Sequence, residues 1–408
     1  MSLFDWFGGK GRRDRFAKRV VARLEERGWP HPIQYDPVGF TLALGGEAGT
    51  VALHRTFFEW RKHPERGKIE TLDDAIGFIF ELGPPPSFDV AVQLLRPVIR
   101  ARASLEAALM SSDDLQGAWR PVGEHLAVLV GIDRPNSRTT VVASTLKDWG
   151  HSFEECLDLA VKNQRDTETI EFDRHASGFH IGLCDDRAPV ARLLTPEVFA
   201  SLPLRGDPVV VAASRICLLV AGSEDDEALD GVADFVPMHL QESSWPLSYA
   251  PMVFRQGRWQ TFEPAPGRSE VAALHTLQAL FNYADQRPFT EIWLEEQGRS
   301  DVIADLAVFP TDEGLRSLVL WNSPSSLLPR ADFVVRRLPV GGCIVRAWAD
   351  VDQAFGGFDV EPPEFAPYFT VPNPIDPEAL RRLQGSAEPD FAKGRGFGIS
   401  NRRLTVFG

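Results

Sequence analysis

The segment GDPVVVAASRICLLVAGS, residues 206–223, constrains the fold more than any other stretch of the chain. It sets two apolar runs, PVVVAAS and ICLLVAG, on either side of Arg215. Unbroken apolar runs of this length read as strands, and so short a break leaves room only for a tight turn. Strands without a polar face need cover, so helices must pack against them.

The remaining sequence supplies more of the same ingredients. LAVLVGID (126–133) and RTTVVAS (138–144) read as strands around Pro135-Asn136-Ser137. TETIEFD and GFHIGL form a hairpin pattern, and PMVFRQGRWQTFEP another that turns at Gln256-Gly257. Apolar stripes at helical spacing run through Phe16, Val20 and Leu24, through Phe153, Cys156, Leu157 and Ala160, and through Val271, Leu274, Leu277, Leu280 and Phe281 at about 269–284. Ser152-Phe-Glu-Glu155 and Ser223-Glu-Asp-Asp226 read as helix starts, and Thr195-Pro196 as an N-cap followed by proline at the first helical position.

These elements predict an α+β fold with mixed, mainly antiparallel sheets and packed helices, in two or more domains. The 408 residues exceed one ordinary domain. They divide into a basic amphipathic helix at 1–28, a small helix and hairpin subdomain at 29–94, a central α+β domain at 95–265 and a C-terminal α+β domain at 266–408. Strands at about 301–309, 316–321, 332–338 and 343–348 belong to the last. Its tail from residue 355 is rich in Pro, Gly and Phe, and apart from a short helix at 376–385 little there predicts a regular core.

The net charge of −14 is unevenly spread, with eight basic and four acidic side chains in residues 1–28, a local +4. The body is therefore acidic, which excludes nucleic acid as the expected partner. Leu3, Phe4, Trp6 and Phe7 precede the basic helix, so a peripheral membrane contact led by those side chains is one reading of residues 1–28. A docking helix with a solvated basic face needs fewer assumptions and is preferred. No apolar run reaches 18 residues, so no transmembrane segment is expected. Cys156, Cys184, Cys217 and Cys343 form no CxxC pair, and Cys156 and Cys217 lie in apolar runs, which fits a reduced, cytoplasmic setting.

LRPVIR (95–100), WRPVGEHLAVLVGID (119–133), HSFEECLDLAVKN (151–163), DDRAPVARLLTP (185–196) and the 206–223 segment occur in an order that resembles the YtpQ-like family of bacterial proteins, an uncharacterised family with a domain of unknown function. The opening helix, the strands at 33–54 and SYAPMVFRQGRWQTFEP are similar to that family's two ends, so the resemblance spans about residues 12–265. Ala213 stands where the family pattern has proline, and Ile216 where it has an acidic residue. The resemblance implies a fold and a bacterial, cytoplasmic setting. It implies no mechanism, and 266–408 stays outside it.

Chemistry-bearing residues gather in a few places. Arg187, Arg192 and Arg215 lie in the family-like segments, with Asp186 nearby; Arg215 at its turn has Asp186 or Asp207 as structural partners. The functional reading of this set is a site for a phosphate or carboxylate ligand. His175, His180, Cys184 and Asp185 offer imidazole, thiolate and carboxylate donors of the kind that hold Zn²⁺, although their spacing matches no standard ligand pattern. His151 with Glu154 and Glu155 is explained by a helix start. His275 and Cys343 are a conceivable dyad that sequence cannot bring together. There is no GxSxG, Walker A, HEXXH or EF-hand pattern and no GxGxxG after a strand, so no cofactor is called for. SSWPLSYAP and WNSPSSLLPRADF place an aromatic beside proline and small polar residues, as interface loops do. The leading expectation is a non-catalytic interaction or regulatory module whose partner is another protein. The alternative is an enzyme or binding protein for a small anionic metabolite using an Arg/His/Asp site.

Overall fold

The computed structural model describes residues 10–37, 40–45, 50–53, 56–57, 60, 72, 76–77, 79, 85–110, 113–134, 138–167, 169–184, 188–242, 246–265, 268–311, 314–323, 326–337, 343–355, 358–370, 380, 382–383, 396–400 and 403–407. The chain divides into two compact units, one of residues 1–96, 130–141 and 145–163, the other of 97–129, 142–144 and 164–408.

In the first unit the helix Lys10–Glu26 packs on a three-stranded antiparallel sheet of Gln34–Asp36, Thr41–Ala43 and Thr50–Ala52. Its apolar stripe is spent there: Phe16, Val20 and Leu24 are buried among Phe40, Leu42, Leu44 and Phe57. Arg12, Arg15, Lys18 and Arg19 stay exposed on the other face. Leu3, Phe4, Trp6 and Phe7 lie outside the described residues. The helix Phe153–Thr167 starts as its sequence requires, with the Ser152 amide donating to Glu155 Oε2 (2.9 Å) and the Glu155 amide to Ser152 Oγ (3.3 Å).

The second unit is built on a six-stranded antiparallel sheet. Its strand order is Arg258–Thr261, Met252–Arg255, Pro208–Ser214, Cys217–Gly222, His180–Leu183 and Glu171–Arg174. The 206–223 hairpin lies at its centre with Val210 opposite Val220, and both strands are buried almost throughout. The helices Asp226–Glu242 and Ser269–Glu296 supply one cover, through Leu229, Val232, Val236, Val271, Leu274 and Leu277. The Gln256-Gly257 turn has both residues at positive φ (53° and 76°), the geometry that closes a two-residue hairpin.

Four local expectations change. The strand read at 138–144 is only Arg138–Thr140, Ala143–Trp149 being a helix, and the turn read at 135–137 lies outside the described residues. Asp225, not Ser223, caps Asp226–Glu242: its carboxylate accepts the Ala228 amide (3.3 Å), while Ser223 Oγ accepts the Asp207 amide (2.9 Å) and ties the strand ends. Pro196 does open a helix, but a 3-10 helix, Pro196–Ser201, and the Thr195 hydroxyl turns back to the Arg192 carbonyl (3.3 Å) instead of capping it. The helix read at about 269–284 runs on to Glu296 through Pro288. Its polar residues Gln278, Asn282, Asp285, Gln286 and Thr290 are buried. Gln278 Oε1 accepts the Ser248 hydroxyl and the Tyr249 and Ala250 amides (2.8, 2.6 and 3.1 Å). Those bonds satisfy an irregular segment in the core. Leu247–Ala250 of the expected interface loop are therefore buried, as are Trp321 and Ser326–Leu328 of the other.

The C-terminal part carries a second six-stranded sheet and a four-stranded one. Gly314–Trp321 runs parallel to Phe333–Arg337, and Val302–Ile303 parallel to Ser326–Pro329; their other neighbours are antiparallel. The architecture is α+β. The tail departs from expectation, because Asp359–Glu361, Tyr368–Thr370, Gly396–Ser400 and Arg403–Phe407 are strands and Tyr368 is fully buried. Asp359–Glu361 and Tyr368–Thr370 are too short to show an alternation in sequence. Most of the helix read at 376–385 lies outside the described residues. Among the described residues no helix is long and apolar enough to cross a membrane.

Candidate functional site

Two proline-led 3-10 helices, Pro189–Leu194 and Pro196–Ser201, follow each other with Thr195 between them. Pro196 has no amide hydrogen to continue the first helix, so the chain stops and restarts in a new direction. Trp259 Nε1 donates to the Leu193 carbonyl (2.7 Å), and the Trp259 ring meets Phe199 at 6.0 Å, which pins both turns to the hairpin Met252–Thr261.

Between these turns and the C-terminal end of Phe153–Thr167 lies a cavity of about 360 Å³. Arg192, 3% exposed, forms its deep wall together with buried Gln164 and Thr195. Ile170, Phe172 and Val198 supply apolar surface, and Phe172 is held edge-on against Phe199 at 6.0 Å. At the rim Arg165 Nη2 pairs with Glu197 Oε1 at 2.6 Å, each side chain more than half exposed. Solvent screens that pair to about 1 kcal/mol or less, so it shapes the entrance more than it stabilises the fold. The Thr195 and Ser201 hydroxyls donate to the carbonyls of Arg192 and Val198 (3.3 and 3.1 Å).

Arg192, one of the residues singled out in sequence, is thus in a cavity wall. Arg215 is not among its lining residues; it occupies the 215–216 turn, partly exposed. Asp207 is taken by Arg255 at 2.9 Å. Arg187, Asp186 and Asp185 lie outside the described residues. His180 is buried in the sheet opposite Val220, and burial lowers its pKa. His175 stacks on Phe179 at 4.3 Å and accepts the Ser177 amide on Nδ1 (3.2 Å), while Cys184 is half-buried. Among the described residues no group of three or more His, Cys, Asp or Glu side chains is placed to hold a metal. Glu155 is held below the usual carboxylate range by the Ser152 amide, in keeping with the helix-start reading of His151, Glu154 and Glu155. His275 Nε2 lies 3.1 Å from the Phe262 carbonyl and Cys343 stands opposite Arg337 in a strand, so no dyad forms.

Two parts of the site escaped the sequence reading. Gln164 continues the Phe153, Cys156, Ala160 stripe, and a polar residue on a buried helical face is a readable signal. Phe172 and Glu197 carry no such mark. A second polar cluster surrounds His125, whose Nδ1 is 3.5 Å from the Asn282 amide and whose Nε2 is 3.9 Å from Glu124. Burial pushes its pKa down to about 4.

No family model, no curated protein and no solved structure matches the chain.

Proposed function

We propose that this chain binds a small anionic molecule in the 360 Å³ cavity, with the charged group seated on Arg192. The observation that carries the reading is an arginine 3% exposed in the wall of a ligand-sized cavity. Hydrogen bonds between a guanidinium and an anion are charge-assisted and strong where water is scarce. The resemblance of residues 12–265 to YtpQ-like proteins extends the proposal to a bacterial, cytoplasmic setting.

Thermal unfolding of the full chain against small carboxylates and phosphate esters tests it. At least one anion is expected to raise Tm, with the shift lost in Arg192→Gln. Unchanged Tm with every anion overturns the reading. A second reading, a protein-interaction module, is favoured by Leu183 (45% exposed) and Ile216 (56% exposed) at the same end of the central sheet. Stoichiometric co-purification with one partner, abolished in Ile216→Asp, is the result it requires.

A further inference from the structure

We infer that the basic face of the helix Lys10–Glu26, which takes no part in the cavity, is a contact surface for an anionic lipid membrane. The stripe Phe16, Val20 and Leu24 is consumed in the core of the first unit, so the helix has no apolar face left to insert into lipid. Away from that stripe Arg12, Arg15, Lys18 and Arg19 are exposed, and at 1.5 Å per residue they span about 10 Å of helix. Among the described residues none of the four pairs with a carboxylate. Arg15 Nε donates to the Gly11 carbonyl (3.0 Å), and the Arg19 guanidinium lies over the Trp60 ring at 5.3 Å. Asp14, in the same turns, is turned to the Tyr35 hydroxyl (2.8 Å), and Glu26 at the far end is taken by Arg23 (3.0 Å).

The whole chain carries −14, but residues 1–28 carry a local +4. Charges farther than a Debye length of about 8 Å from the contact are largely screened, so the local face decides whether an anionic surface is attracted. Several basic side chains on one face of an amphipathic helix are the pattern that anionic headgroups hold. A membrane, in preference to an acidic protein, is favoured by the sequence beside the helix: Leu3, Phe4, Trp6 and Phe7 lie three to seven residues before Lys10. Apolar and aromatic side chains of that kind partition into the boundary between headgroups and acyl chains.

Co-sedimentation of the full chain with phosphatidylcholine vesicles, alone or containing phosphatidylglycerol, tests this. Binding is expected only where phosphatidylglycerol is present, and is expected to fall steeply as salt rises from about 0.1 to 0.5 M. Each cation near an anionic surface contributes about fivefold in affinity, so Arg12→Gln combined with Lys18→Gln is expected to weaken binding about 25-fold. Both side chains are solvated, and the double variant is expected to unfold at the parent Tm. Trp6→Ser combined with Phe7→Ser is expected to weaken binding at high as well as low salt, because the apolar contribution is not screened. Equal sedimentation with neutral vesicles, none with either vesicle, or unchanged binding in the Arg12→Gln and Lys18→Gln double variant overturns the membrane contact. Polyglutamate bound in solution without vesicle binding overturns it in favour of an acidic protein partner.

Discussion

His125 sits in the turn between the strands Arg120–Val122 and Leu126–Asp133 with 13% of its side chain exposed. Burial lowers its pKa to about 4 against the opposing pull of Glu124, while His275 and Arg102 push the same way as burial. An unfolded histidine titrates near 6.5, so between about pH 6.5 and 4 the unfolded chain binds a proton that the native one refuses. Stability from this group is therefore complete above pH 6.5 and falls as the pH drops toward 4, by up to about 3 kcal/mol. Tm measured from pH 7 to 4 is expected to fall less steeply in His125→Asn than in the parent chain; parallel curves sink the assignment. Nothing around WRPVGEHLAV announces this, because the burial comes from Asn282 and Phe365, far along the chain.

At the scale of single elements, legibility follows the range of the interaction. The capping box at Ser152 and Glu155 was readable since both partners lie within four residues. Ser152→Ala is expected to cost about 1 kcal/mol in urea unfolding, with the m-value unchanged. The continuation of Ser269–Glu296 past Pro288 was not readable. Its buried polar face is matched by partners at 248–250 and 365 that no local pattern reveals. Gln278→Leu keeps the bulk but leaves the Tyr249 amide and the Ser248 hydroxyl without their acceptor, while the Ala250 amide keeps Ser248 Oγ (3.0 Å), and is expected to cost about 2–3 kcal/mol in the same measurement.

Across the second unit, Phe365 joins the tail to the rest. The Arg102 guanidinium lies over its ring at 4.4 Å, the His125 ring meets it at 5.9 Å, and Gln286 Nε2 donates to its carbonyl. Tyr283 Oη donates to the Pro367 carbonyl, and Tyr368 Oη to that of Tyr283 (3.2 and 3.1 Å). Phe365→Ala removes the ring contacts alone. It is expected to speed amide exchange at Tyr368–Thr370 by about tenfold, with the central sheet unchanged. Uniform acceleration, or none, contradicts a local clasp.

The sequence by itself determined the α+β class, the 206–223 hairpin, the buried stripes of three helices and the helix start at Ser152. Those features rest on apolar periodicity and on side chains meeting their own neighbouring backbone. Only the tertiary structure decided that Arg192 shares a cavity with Gln164 and Phe172 while Arg215 stands elsewhere. It also decided that Leu247–Ala250 and Ser326–Leu328 are core. The reason is physical: a cavity wall or a buried amide is completed by groups distant in sequence, and packing alone selects which of them meet.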